Sequence, residues 1–124
     1  MREVMAVIRM NTMNATKKAL TEAGVDAFFA FEALGRGQGL VNRALVEGAA
    51  RGYEEAAVML GEKGRLYPKR VVSVVVEDED VDEVVATIIR CNQTGKPGDG
   101  KIFVLPVADA VRVRTAESGV KAIS

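Results

Sequence analysis

"RVVSVVVEDEDVDEVVATIIRCNQTGKPGDGKIFVLPV", residues 70–107, spells out one strand–helix–loop–strand passage. RVVSVVV, 70–76, is almost unbroken valine, the β-branched composition that suits a strand. EDED, 77–80, places acids where the positive end of a starting helix favours them. Val81, Val84, Val85, Ile88 and Ile89 then recur at the i, i+3, i+4, i+7, i+8 spacing of one helix face. That helix is expected to end near Asn92. Cys91 falls three residues after Ile88, so a buried, inert thiol is expected there. The loop TGKPGDG leads into KIFVLPV, which reads as another strand.

Upstream the same order repeats. Residues 2–9, REVMAVIR, read as a strand. Asn11 or Thr12 can cap a helix that runs to Ala23 and stops at Gly24. Residues 25–34, VDAFFAFEAL, read as a strand and hold three of the four phenylalanines. GRGQG, 35–39, breaks the pattern. In the excursion that follows, Tyr53, Ala56, Ala57 and Leu60 fall at helical spacing. ADAVRVRT, 108–115, reads as a short last strand. The order predicts an α+β fold, a ferredoxin-like βαββαβ sandwich with a short C-terminal strand, and residues 1–124 as a single domain.

Composition narrows the chemistry. Lys plus Arg equals Asp plus Glu, at 17 each, which disfavours unspecific nucleic-acid binding. There is no histidine, so Ser-His-Asp catalysis and histidine metal sites are excluded. One cysteine forms no internal disulfide and fits a reducing, cytoplasmic setting. No apolar run is long enough to span a membrane, and the N-terminus does not read as a signal peptide. Function is left to Arg, Lys, carboxylates and backbone amides.

The glycine loop is almost a P-loop: Gly95, four residues, Gly100, Lys101. Ile102 stands where magnesium chemistry needs Ser or Thr, and a P-loop runs from strand to helix, not helix to strand. Gly98, Asp99 and Gly100 allow a tight turn whose amides form an anion nest beside Lys96 and Lys101. The same residues also serve a plain connection. In a strand, Arg112 and Arg114 would share a face, with Val111 and Val113 inward. Two parallel guanidinium forks suit a polyphosphate, and equally a solvated strand face. Gly35, Arg36, Gly37 and Gln38 form a second glycine-rich hinge with a cation and an amide, a loop or a site. Lys69 rejoins the sheet after Pro68 and says nothing alone. Asp78, Glu79 and Asp80 read as helix-start charges rather than a metal site.

"TGKPGDGKIFV", 94–104, followed by "RVRT", 112–115, resembles the signature of the PII family of nitrogen signal-transduction proteins. "LGRGQG" is similar to the base of the family's long T-loop and "YPKR" to its return, so the T-loop would run from about 36 to 69. The resemblance covers the whole chain. It implies a trimer that binds ATP or ADP in clefts between subunits and, with Mg2+ and ATP in place, 2-oxoglutarate. It further implies that Gly98, Asp99, Gly100 and Lys101 hold phosphates, that Arg112 and Arg114 reach them, and that Gly35 and Arg36 lie at the T-loop base. Lys69 would pair with a 2-oxoglutarate carboxylate. The family commonly has Gln directly after Gly-Arg; here Gly37 intervenes and Gln38, the implied Mg2+ contact, comes one later. Tyr53 does not align with a uridylylation tyrosine.

The unusual T-loop resembles the nitrogenase-regulating NifI branch, in particular the second protein of its pair. That implies a sensor, not an enzyme, with dinitrogenase as target and a homotrimer or a mixed oligomer with a paralogous PII protein. A conventional PII protein acting on an ammonium channel or a nitrogen-assimilation enzyme is the alternative within the family. A small nucleotide-hydrolysing enzyme lacks an obvious base. A single-stranded RNA module would need exposed aromatics and a basic face, which neutral charge disfavours.

Overall fold

The computed structural model describes residues 1–37 and 66–124. Gln38 and the helical spacing around Tyr53 lie outside these residues. Strand β1, Arg2–Ile8, is followed by helix α1, Met13–Glu22, and strand β2, Phe29–Gly35. Strand β3, Tyr67–Val76, helix α2, Val81–Asn92, and strand β4, Lys101–Pro106, complete the second half. The sheet order is β2-β3-β1-β4, antiparallel at every pairing. This is the expected ferredoxin-like α+β fold.

The valine run makes β3 because its neighbours cover it on both sides. Val72, Val74 and Val76 pack with Val4, Ala6 and Ile8 of β1 against Met13 and Leu20 of α1 and Val84 and Ile88 of α2. The helix face of the sheet is therefore the core. Buried Thr16 and Thr87 satisfy their hydroxyls on carbonyls one turn back, Thr12 and Glu83, each at 2.8 Å. Asn92 ends α2 and ties it to α1, its Nδ2 donating to Thr16 Oγ1 at 3.0 Å.

Four local expectations shift. Thr12 occupies the α1 cap position but donates its hydroxyl to Arg9 O at 3.0 Å instead of accepting a helix amide, because a short 3-10 turn over Met10–Thr12 precedes the helix. β2 begins at Phe29, not Val25. Gly24 at φ +90° closes α1 with Gly24 N on Thr21 O and Val25 N on Leu20 O, and Val25 and Phe28 are drawn onto the core. Cys91 is half-buried rather than buried, because it sits at the α1–α2 contact with its Sγ 3.9 Å from Ala15 O, and Ile89 is exposed.

The last shift matters for function. The short C-terminal strand is reduced to a single bridge, Val111 with Ser118. Arg112 N donates to Glu117 O, and Ala116 N donates to Arg112 O, both at 2.8 Å, so the segment closes on itself as a local turn. Val111 and Val113 are exposed, Val113 to 99%, instead of facing inward.

Candidate functional site

The glycine loop crosses the end of the sheet between α2 and β4, and Asp99 is its hub. The Asp99 carboxylate accepts Thr94 N at 2.7 Å, Thr94 Oγ1 at 2.5 Å and Gly95 N at 2.9 Å. Arg9 Nη1 adds a fourth bond at 2.7 Å. The Thr94 hydroxyl first, then its amide, and after them Arg9 and Gly95, hold the Asp99 carboxyl well below the usual carboxylate range. These contacts commit the side chain to the loop itself. The sequence expectation was a loop whose amides, that of Asp99 among them, hold phosphates; in the structure the Asp99 carboxylate shapes the turn and leaves that amide unengaged by the described residues.

Gly100 is the closest approach. Its φ is +108°, and a Cβ there would lie 1.9 Å from Val7 O, so only glycine fits. Gly98, at φ +99°, lies against the Arg9 guanidinium. Among the described residues the amides of Gly98 and Asp99 donate to no group within the chain. Lys69, in β3, sends its Nζ to Gly98 O at 3.5 Å and so joins the loop from across the sheet.

A cavity of about 450 Å³ opens beneath the loop. Val7 and Phe103 form its floor, Gly35, Arg36 and Gly37 enter from the end of β2, and Lys69 from β3. Lys96 and the Gly98–Lys101 segment complete the wall. The structure thus gathers Gly35, Arg36, Gly37, Lys69, Gly98, Asp99, Gly100 and Lys101 from three separate stretches. Four cationic side chains surround one carboxylate that Arg9 already pairs, an arrangement suited to a polyanion.

Arg112 and Arg114 are not in this cavity within one chain. The Arg112 fork is engaged by the chain's own C-terminal segment. Nη2 donates to Lys121 O at 2.8 Å and Ser124 O at 2.7 Å, and Nη1 pairs with Glu117 Oε1 at 3.2 Å. Arg114 is exposed. The parallel pair expected from the sequence needs a strand that this segment does not form.

Arg9 was missed by sequence reasoning, since no local pattern marks it: it reaches Asp99, at 2.7 Å, only because β1 pairs with β4 up to Val7↔Lys101. No group of three or more Cys, Asp or Glu among the described residues can hold a metal ion, and no helix among them is long and apolar enough to cross a membrane.

Residues 1–117 match the family model of the nitrogen regulatory protein P-II. A "nitrogen fixation nifHD region GlnB-like protein 2" of Methanobacterium ivanovii is 44% identical over 124 residues, covering 99% of each chain. Its namesake from Methanothermococcus thermolithotrophicus is 47% identical over 137 residues, covering 99% of this chain and 98% of that one. The crystal structure of Arabidopsis thaliana PII bound to citrate superposes with a TM-score of 0.74 at 29% identity, covering 99% of this chain and 89% of that one. With the loop, the sheet order and these likenesses in agreement, the chain belongs to the nitrogen regulatory protein P-II family, whose members are non-enzymatic regulators.

Proposed function

We propose that this chain senses ATP or ADP together with 2-oxoglutarate and regulates nitrogen fixation by presenting the segment from about 36 to 69 to nitrogenase. The observation that carries the reading is the convergence of Arg36, Lys69, Lys96 and Lys101 beside the glycine loop in one cavity. Cations and loop amides of this kind bind phosphate chains. PII proteins in general bind ATP or ADP and 2-oxoglutarate, and the Arabidopsis relative is bound to citrate. Lys69 is the cation for a 2-oxoglutarate carboxylate. Mg2+ would sit on the nucleotide phosphates, with Gln38 as the protein contact, since Asp99 has its oxygens committed elsewhere.

PII proteins are trimers. The sheet face away from the helices carries exposed Phe29, Phe31 and Phe103, and a homotrimer or a mixed oligomer with a paralogue would cover it. Such an assembly would also bring Arg112 and Arg114 to a cleft shared between subunits. The relatives named for the nifHD region support nitrogenase, in the cytoplasm, as the target. Regulation requires that the ligands bind two arrangements of the 36–69 segment with different affinity.

Calorimetry tests this reading. 2-Oxoglutarate is titrated with and without Mg2+ and ATP, and binding is expected only in their presence. A protein that binds neither nucleotide under any condition sinks the proposal.

A further inference from the structure

Arg9 lies one residue beyond the end of β1, with extended backbone at φ −68° and ψ 150°. Its side chain therefore continues the alternation of the strand and leaves on the side of Val7, toward the cavity. The registers set its neighbours. The β1–β3 pairing ends at Ile8↔Arg70 and the β1–β4 pairing at Val7↔Lys101, and just past these ends Lys69 and Arg9 both reach the glycine loop, at Gly98 O and at Asp99 and Pro97 O.

Both ends of the residue are held. Its carbonyl accepts Thr12 Oγ1 at 3.0 Å and Thr12 N at 3.4 Å, which fixes the backbone to the entry of α1. Its guanidinium spans two points of the glycine loop, Nη1 on Asp99 Oδ1 at 2.7 Å and Nη2 on Pro97 O at 3.0 Å. A planar fork makes both bonds at once with little further loss of freedom. The loop packs down on it, since a Cβ at Gly98 would lie 3.2 Å from Nη2.

Charge adds a second role. Asp99 is a carboxylate in the wall of a cavity suited to a polyanion. Unpaired, it would repel the ligand, the more so the greater the ligand charge. Arg9 neutralises it through the 2.7 Å ion pair.

We infer that Arg9 is the positioning residue of the anion-binding loop: it fixes Asp99 and the Pro97 carbonyl, and so sets the Gly98–Lys101 backbone and cancels the one negative charge in the cavity wall. The binding half of this inference rests on the nucleotide reading above; the loop-fixing half rests on the geometry alone. The residue acts on the loop through Asp99 and the Pro97 carbonyl.

The test uses the full chain as wild type, Arg9→Gln, Arg9→Lys, Asp99→Asn and the double variant Arg9→Gln/Asp99→Asn. Affinities for ATP, ADP and adenosine are measured by calorimetry, and amide exchange at Thr94 and Gly95 by NMR. Arg9→Gln is expected to weaken ATP by about tenfold, ADP by less and adenosine least. Arg9→Lys, which keeps the charge, is expected to stay within about threefold of wild type. In the double variant the ATP loss is smaller than the product of the two single losses, because both act on one pair. Exchange at Thr94 and Gly95 quickens in Arg9→Gln.

A loss of equal size for all three ligands, additive losses in the double variant, or unchanged ATP affinity each overturn the inference. If the wild type binds no nucleotide, the functional proposal fails and the exchange measurement alone decides: unchanged exchange in Arg9→Gln overturns the pinning, faster exchange upholds it. Should Arg9→Gln not fold, Arg9→Lys is compared in the wild-type and Asp99→Asn backgrounds. An Arg9→Lys effect that persists in the Asp99→Asn background overturns the inference.

Discussion

A Cβ placed on Gly100 would sit 1.9 Å from the carbonyl oxygen of Val7. The glycine loop and β1 approach so closely there that no side chain fits, and the φ of +108° forbids one independently. Gly100→Ala is therefore expected to destabilise the fold by at least about 2 kcal/mol and to weaken nucleotide binding with it. Urea denaturation measures the first and calorimetry the second. A variant as stable as wild type would show that the loop moves away from Val7 at little cost.

The Asp99 carboxyl is depressed by the Thr94 hydroxyl, the Thr94 amide, Arg9 and Gly95. A folded-state value below the unfolded one, near 3.8, means stability that is present above that value. It is lost as pH falls through the folded-state value. Asp99→Asn is thus expected to melt below wild type at neutral pH, with the gap narrowing only in strongly acid solution. A gap that does not change with pH would assign the effect to lost hydrogen-bond geometry rather than charge.

Arg112 is occupied by Lys121 O and Ser124 O. If the same fork serves phosphates between subunits, the tail competes with the nucleotide. Deleting Lys121–Ser124 is expected to raise ADP affinity about threefold, by making the competent form more populated. The bonds are exposed, so the melting temperature should change little. Weaker ADP binding in the truncated chain would instead make the tail part of the site.

Phe103 is 46% exposed on the sheet face that no helix covers, close to Met5 through the β1–β4 register. Phe103→Asp is expected to convert the proposed trimer to monomer in sedimentation, with far-UV circular dichroism unchanged. Introducing a charge there leaves it unpaired in a subunit contact, which is costly. A trimer that persists would place the contact elsewhere on the chain.

The halves of the fold were legible because their signals are local. Val81, Val84, Val85 and Ile88 mark α2 by spacing alone, and the valine run marks β3. Val25–Phe28 misled because apolar residues serve equally in a strand or in a connection drawn onto the core. Val111 and Val113 misled for a related reason: alternation describes a strand only where another strand is present to pair with it. The segment instead satisfied its amides within a turn.

The sequence by itself determined the order of elements, the glycine loop that must bend where Gly98 and Gly100 stand, and the cationic residues at its rim. It also excluded histidine chemistry outright. Only the tertiary structure decided that Lys69, Arg36 and the loop share one cavity, that Asp99 turns back onto its own loop, and that Arg112 is held by the tail. It alone brought Arg9 to Asp99 across 90 residues. Helix and strand patterns reach three or four positions along the chain, whereas that pair depends on the register of β1 against β4, which is fixed by the packing of the whole sheet.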